Sequence, residues 1–282
     1  MLIRVGFELV YEFAQKTPLV LMLNVHPSRA RDLVQPDHLR VSPILPVARY
    51  LDGFGNICSR LVAPPGEVAI RTDAIVADRG LPDAVEPAAR QHEVGELPND
   101  ALVFLLGSRY CETERLMNVA WSNFGGTPSG WPRVQAICDF VNSHLRFGYP
   151  HARATRTAVE AFVERRGVCR DFAHLAVTLC RCMNIPARYC TGYLGDIAVE
   201  PEPEPMDFSA WFEVYLGGRW YAFDARHNAP RIGRIVMARG RDAADVALST
   251  TFGRNTIKRF NVVTDEIAED TVGVGVSERM VA

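Results

Sequence analysis

The chain has 282 residues, of which 48% are hydrophobic and 23% charged, and its formal net charge is -2. This composition is typical of a globular protein with a sizeable core, and the small net charge gives no electrostatic footprint for nucleic acid or an anionic membrane. No apolar run approaches the ~18 residues of a membrane span, and the first residues alternate instead of forming a secretory leader. We therefore expect no nucleic-acid and no membrane partner.

The cysteines are odd in number and irregular in spacing, which indicates reduced thiols in the cytoplasm. Their spacing does not fit a zinc site, and no calcium-loop pattern is present, so we expect no metal and no cofactor. The seven positions are Cys58, Cys111, Cys138, Cys169, Cys180, Cys182 and Cys190.

Apolar and polar residues alternate through the first part of the chain, which predicts half-buried β-strands. Because such strands need a second layer to cover their apolar faces, we predict an N-terminal β-sandwich over residues 1–85. The predicted strands are 3–11, 19–25, 44–51, 57–62 and 67–77.

Prolines among charged residues then replace the strand pattern, which predicts a linker over 86–105. Helical periodicity follows, and we predict an α+β domain over 106–265, with helices packed on an antiparallel sheet, and a loosely structured tail over 266–282. The predicted helices are 112–121, 131–145, a short one opened by a capping box at Thr157, and a long one from Cys169 that ends before Pro186. A proline- and acid-rich stretch, 200–205, is typical of an exposed insertion.

Cys169 stands at the start of the long helix, where a reactive thiol is favoured. Only the thiolate is a nucleophile, and a helix N-terminus lowers the pKa of a cysteine through its unpaired N–H groups and the macrodipole. Gly167 would let the chain turn sharply into the helix. A buried structural thiol is the commoner fate of a cysteine, but the position favours a functional one.

A two-residue turn at Gly217-Gly218 predicts a hairpin that pairs Leu216 with Arg219. In that register Ser209 and Asp224 are diagonal neighbours on one face, with backbones ~7–8 Å apart. A histidine at position 209 would therefore reach Asp224.

Three blocks in order carry a resemblance to a known family: GVCRDFA at 167–173, IPAR at 185–188 followed by GY at 192–193, and AWFEVYLGGRWYAFD at 210–224. They resemble the transglutaminase-like superfamily, which has a papain-like Cys-His-Asp site. The preceding strands resemble the N-terminal β domain of many bacterial members. The resemblance implies that Cys169 is the nucleophile and that Asp224 orients the catalytic base.

The sequence departs from the family at the base itself. The family has histidine directly before the Ala-Trp pair, and this chain has Ser209, which cannot accept a proton at neutral pH. One interpretation is a substitute histidine. His227 is close in sequence, but strand parity puts it on the face opposite Asp224 unless the strand breaks at Ala225. His174 lies about 140° around the helix from the thiol and is expected to be structural.

A second interpretation is that Cys169 works with only the helix dipole and nearby cations such as Arg170, giving a slow or pH-shifted enzyme. A third is a non-catalytic relative, or a histidine that was deliberately replaced. The arginines after the hairpin (226, 231, 234, 239 and 241) are typical of a solvated face that pairs with Asp242 and Asp245.

These features predict a cysteine-dependent acyl transferase, amidase or protease that acts on a peptide or protein substrate through a thioester on Cys169, impaired if Ser209 has no substitute. The alternative is a binding or scaffold protein that kept the fold without turnover. The sequence leaves open the substrate identity, the choice between hydrolysis and transfer, and the oligomeric state.

Overall fold

The computed structural model describes residues 1–201 and 206–268. The strands are β1 (Leu2–Phe13), β2 (Thr17–Leu21), β3 (Leu33–Gln35), β4 (Arg40–Ser42), β5 (Ala48–Leu51), β6 (Ile57–Ala63), β7 (Gly66–Ala77), β8 (Arg146–Phe147), β9 (Arg166–Gly167), β10 (Ala187–Tyr193), β11 (Ser209–Leu216), β12 (Arg219–Phe223), β13 (Ile235–Gly240), β14 (Ser249–Thr251) and β15 (Asn255–Ile267). The α-helices are α1 (Asn99–Leu102), α2 (Thr113–Phe124), α3 (Trp131–His144), α4 (Ala158–Glu164) and α5 (Cys169–Cys182).

Two antiparallel sheets form the N-terminal β-sandwich, as the alternating pattern predicts. One has the order β15-β1-β7-β3, with β4 also on β7, and the other has the order β14-β2-β6-β5. Alternate side chains of β1, β2, β6 and β7 point into one shared core, because a strand buries every second residue. The same core includes Tyr193 from β10 and Ile235 and Met237 from β13. The sandwich therefore packs directly on the sheet that contains β10 and β13.

The last two strands return to these N-terminal sheets. β14 pairs with β2, and β15 pairs antiparallel with almost the whole of β1. The sequence assigned 249–265 to the domain predicted over 106–265, but the hydrogen bonds of both strands are made to the sandwich. An edge strand satisfies its free N–H and C=O groups by accepting a neighbour, and strand periodicity alone does not say which edge it joins.

Helices pack on a third sheet, which lies outside the sandwich and has the order β12-β11-β10-β13, and they complete the α+β fold. Helix α5 is buried from Asp171 to Cys182 and lies between the other helices and the sheet. The turn between β11 and β12 has positive φ at both glycines, 55° at Gly217 and 86° at Gly218, as a type I′ hairpin requires. Leu216 pairs with Arg219, which confirms the predicted register.

Thr157 caps α4 with the predicted capping box. The region 86–105 is not plain linker: it holds α1 and two short 3₁₀ segments, 94–96 and 103–105. β15 continues to Ile267, into the predicted tail, while residues 269–282 and most of the predicted insertion, 202–205, lie outside the described residues. Within the described ranges, none of the helices has both the length and the apolar character needed to cross a bilayer.

Candidate active site

Cys169 is the first residue of α5, and a buried carboxylate holds the turn that precedes it. Asp171 Oδ2 accepts the backbone N–H of Val168 at 2.9 Å and pairs with Arg156 Nη1 at 3.0 Å. A Cβ atom on Gly167 would lie 2.5 Å from the Cβ of Asp171. Glycine is therefore required there for close packing of the carboxylate, and not for the turn freedom inferred from the sequence.

Cys169 is the cysteine with access to solvent. All seven cysteines are free thiols, and the other six are buried. The Cys169 side chain lines two adjoining cavities, which also share Ser209, Asp207 and Phe208. The first, called here the polar cavity, has a volume of about 680 Å³ including the space open to solvent, and it is lined by the titratable residues Asp196, Asp207, Arg226, His227 and Arg231. The second, called the long cleft, has a volume of about 1400 Å³ including the space open to solvent, and its apolar lining includes Leu9, Tyr11, Tyr110, Val246, Ile257 and Phe260.

The surroundings of Cys169 favour the protonated thiol. Removal from water raises its pKa from 9.0 to about 11, although Arg226 and a hydrogen bond from the backbone N–H of Ala210 act in the opposite direction. The sequence predicted a lowered pKa from the helix N-terminus alone. Burial outweighs Arg226 and the Ala210 N–H, so the thiol needs a base to give up its proton near neutral pH.

A histidine reaches the aspartate through a turn. Strand β12 ends at Phe223, and the backbone N–H of Asn228 donates to the carbonyl of Asp224 at 2.8 Å, which closes a tight turn over the residues between them. His227 Nδ1 then lies 2.8 Å from Asp224 Oδ2, while the His227 backbone N–H donates to Oδ1 at 3.1 Å. The strand break that the substitute-histidine interpretation requires is therefore present.

His227 and Cys169 line the same polar cavity, together with Ser209. Nδ1 faces the aspartate and carries the proton that the carboxylate accepts, so proton exchange with a thiol would use Nε2, the other ring nitrogen. The cavity thus brings together the thiol and the imidazole, and the imidazole in turn contacts the carboxylate of Asp224. Their residue types are those of a Cys-His-Asp site, with the histidine at position 227 instead of 209.

Ser209 begins β11, opposite Gly192 of β10, and is buried. The next residue, Ala210, donates its backbone N–H to the Cys169 sulfur. The start of β11 is therefore beside the thiol, where the resemblance places the family's histidine. Position 209 therefore lines the cavity of the thiol and carries a hydroxyl.

Asp224 is buried and held by an arginine as well as by His227. Arg234 Nη2 lies 3.1 Å from Asp224 Oδ2, and its Nε lies 2.8 Å from Asp83 Oδ2. Burial by itself would raise the pKa of Asp224, but Arg234 and His227 hold it well below its ordinary value. The carboxylate therefore stays ionised and can orient the imidazole.

The other candidates from the sequence lie elsewhere. His174 is fully buried between the rings of Tyr110 and Tyr189, and its Nε2 accepts the backbone N–H of Ala243 at 3.1 Å. This structural role is the expected one. The guanidinium of Arg170 donates a hydrogen bond from Nη1 to the carbonyl of Ala154 at 3.0 Å. Arg170 also lines the long cleft.

The arginine run is not a solvated face. Arg241 does pair with Asp245, at 2.8 Å, but Arg231 and Arg234 are buried, and Arg234 contacts Asp224. No local pattern indicates this burial, because the partner Asp83 precedes Arg234 by 151 residues. Only the fold brings the two together.

The chain is similar to known proteins in sequence and in fold. Residues 122–225 match the transglutaminase-like superfamily. The crystal structure of a "Putative Cysteine Protease" from Cytophaga hutchinsonii superposes with a TM-score of 0.84 and 29% sequence identity, covering 96% of this chain and 92% of that chain. The chain belongs to the transglutaminase-like superfamily.

Two mycobacterial relatives are similar over much of their length. An uncharacterized protein of Mycobacterium leprae is 26% identical over 231 residues, which are 78% of this chain and 81% of that protein. An uncharacterized protein of Mycobacterium tuberculosis is 31% identical over 220 residues, which are 69% of this chain and 68% of that protein.

Proposed function

We propose that the protein is a cysteine-dependent acyl transferase or amidase in which Cys169 is the nucleophile, His227 the base and Asp224 the group that orients the base. The substrate is an amide of a peptide or protein. The proposal is carried by the 2.8 Å contact between His227 Nδ1 and Asp224 Oδ2, together with the cavity that His227 and Cys169 both line.

The reaction follows from these positions. His227 Nε2 takes the proton of the Cys169 thiol as the sulfur attacks the amide carbon. The imidazolium returns that proton to the leaving nitrogen, the carbon–nitrogen bond breaks, and a thioester remains on Cys169. Water or an amine then attacks the thioester, gives its proton to His227, and releases the thiolate, which recovers a proton.

The start of α5 supports stabilisation of the oxyanion. The first N–H groups of an α-helix have no acceptor within the helix, and Cys169 supplies one of them. A donor fixed in this way does not have to reorient as negative charge develops on the carbonyl oxygen. We assign this part to the backbone N–H of Cys169.

Because His227 contacts Asp224, the absence of a histidine at position 209 is no longer a reason to expect an impaired enzyme. Because Asp224 and His227 belong to one turn, the pair forms without help from β11. Ser209 then lines the cavity beside the thiol, and the reaction does not require it to accept a proton.

Variants test the proposal against a panel of fluorogenic peptide amides, with and without an added primary amine. We expect Cys169→Ala to abolish turnover and His227→Asn to lower kcat/KM by about 10²–10⁴, the usual contribution of a general base. His38→Asn is the matched control, because His38 is exposed and lies far away in the sequence. Release of free acid identifies hydrolysis, and incorporation of the amine identifies transfer.

Ser209→His separates this proposal from a binding or scaffold role. If the chain as given turns over no amide and Ser209→His does, the chain is a non-catalytic relative and His227 is not its base. If the chain is active and Ser209→His adds less than about tenfold, His227 is the base.

The seven unpaired thiols support a reducing location, and cytoplasmic residence is part of the proposal.

A further inference from the structure

We propose that the long cleft binds the acyl side of the substrate and selects a large apolar side chain there, such as phenylalanine, leucine or methionine. This inference rests on the proposed function for the direction of the substrate. Its physical basis is a patch of four residues on the N-terminal sandwich, Leu9, Tyr11, Ile257 and Phe260, which faces the cavity system of Cys169.

An irregularity in β15 builds this patch. Val10 pairs with Arg259 and Tyr11 with Ile257, so Lys258 is an extra residue in the strand, a β-bulge. Residues three apart on a regular strand point to opposite faces. The bulge puts both Ile257 and Phe260 in the long cleft.

The partners on β1 complete the patch. Leu9 lies opposite Phe260, and Tyr11 lies opposite Ile257. Leu9 and Tyr11 are buried in the sandwich core, whereas Ile257 is 53% exposed and Phe260 is 39% exposed. The inner face of the sheet therefore extends beyond the sandwich core and leaves apolar surface exposed in the cleft that Cys169 also lines. A ligand side chain bound there would remove this apolar surface from water.

The patch is tied to the catalytic residues. The ring of Phe260 packs edge-on against Phe208 at 5.8 Å, and Phe208 lines both cavities beside Ser209. Tyr110 and Val246 also line the cleft. A side chain bound between these walls would be adjacent to the amide that Cys169 attacks.

The position of His227 gives the direction of the substrate. The base must reach the leaving nitrogen to protonate it, and His227 lines the polar cavity. Among the described residues, the lining of the long cleft includes Cys169 but not His227. The leaving group therefore lies in the polar cavity, among Asp196, Arg226 and Arg231, and the acyl portion runs into the long cleft.

The test compares substrates that share one leaving group and differ only in the acyl residue, acetyl-phenylalanyl and acetyl-alanyl amides of the same fluorophore. We expect kcat/KM to be about tenfold higher for phenylalanine, since burial of a large apolar side chain gives at least that factor. Ile257→Ala and Phe260→Ala should each reduce this ratio to about threefold or less. The ratio is the readout because damage to the thiol would lower both rates equally.

Phe252→Ala is the matched control, an exposed phenylalanine that does not line the long cleft, and it should leave the ratio unchanged. A phenylalanine preference below twofold in the unaltered chain, or a ratio that Ile257→Ala and Phe260→Ala both leave intact, overturns the proposal.

Binding without turnover distinguishes this failure from failure of the proposed function. Titration of the chain with acetyl-phenylalanine amide and acetyl-alanine amide, followed by NMR, requires no catalysis. If neither amide substrate is cleaved but the phenylalanine ligand binds preferentially and Phe260→Ala removes the preference, the cleft assignment holds and the enzyme assignment fails. If amides are cleaved without any preference in rate or binding, the reverse holds.

Discussion

The raised pKa of Cys169 makes the contribution of His227 measurable. With a pKa of about 11 in place of 9.0, the thiolate fraction at pH 7.5 falls from about 3% to about 0.03%, a hundredfold loss of nucleophile. An enzyme that used free ionisation of this thiol would gain about tenfold in rate for each pH unit up to pH 11. Proton transfer to His227 removes that dependence.

The perturbation is His227→Asn, which keeps a polar group of similar size but cannot accept the proton. We expect its kcat/KM at pH 7.5 to fall by about 10²–10⁴ and then to rise about tenfold per pH unit towards pH 11. The unaltered chain should rise less than about threefold between pH 7.5 and 9.5. The measurement is kcat/KM for a peptide amide from pH 6 to 10.5, with circular dichroism at each pH to verify that the fold persists.

Two results would refute this reasoning. A steep rise of the unaltered chain with pH would mean that the thiol ionises without a base. Coincident profiles for the chain and His227→Asn would mean that the base is another group. His38→Asn should follow the unaltered chain throughout.

The remaining predictions concern the thiols and the buried charges. Iodoacetamide should alkylate Cys169 under native conditions and the other six cysteines only in denaturant, because those six are buried; mass spectrometry of the peptides checks this. Arg234→Met should lower the free energy of unfolding by about 3–5 kcal/mol, since it leaves the carboxylate of Asp224 buried without its cation, and urea titration measures the loss. The pKa of Asp224 is lowered in the folded chain, so its stabilising contribution is present above the unfolded pKa of about 3.9 and declines as pH falls below that value. Urea titrations between pH 7 and 3 should therefore show a loss of stability. The loss should be smaller in Asp224→Asn. Gly167→Ala should destabilise by about 1–3 kcal/mol, because its methyl group would press on Asp171, and a lowered Tm without loss of the fold is the expected result.

Local patterns predicted most of the fold. Period-two alternation located β1 and β7, and the capping box at Thr157 located the start of α4, because these signals depend on neighbours in the sequence. The pairing of β15 with β1 joins residues 242 to 265 positions apart, such as Phe13 with Asn255 and Leu2 with Ile267. No local signal specifies such a pair, so the return of the chain end to the sandwich was missed.

The site divides in the same way. Cys169 at the start of α5 and Asp224 at the end of the hairpin were predicted, since a helix start and a two-glycine turn fix their positions. The pKa of the thiol was not, because it depends on how much water the folded chain excludes. Arg234 was missed because its partner Asp83 lies 151 residues earlier in the sequence, and only the fold brings the two together.

The local origin of the Asp224–His227 pair has a consequence for how the site tolerates change. In a pair formed across β11 and β12, the distance between base and carboxylate depends on strand register, and a slip of one residue moves a side chain to the other face. Here both groups belong to one turn closed by the hydrogen bond from Asn228 to Asp224, so their separation is set by the turn alone. What the sheet must still provide is the approach of this turn to Cys169, and the contact of the Ala210 N–H with the sulfur shows that β11 meets the start of α5 at that point. A serine at position 209 is compatible with this arrangement. Strand β11 places the Ala210 N–H beside the sulfur, and the turn that contains Asp224 and His227 supplies the base.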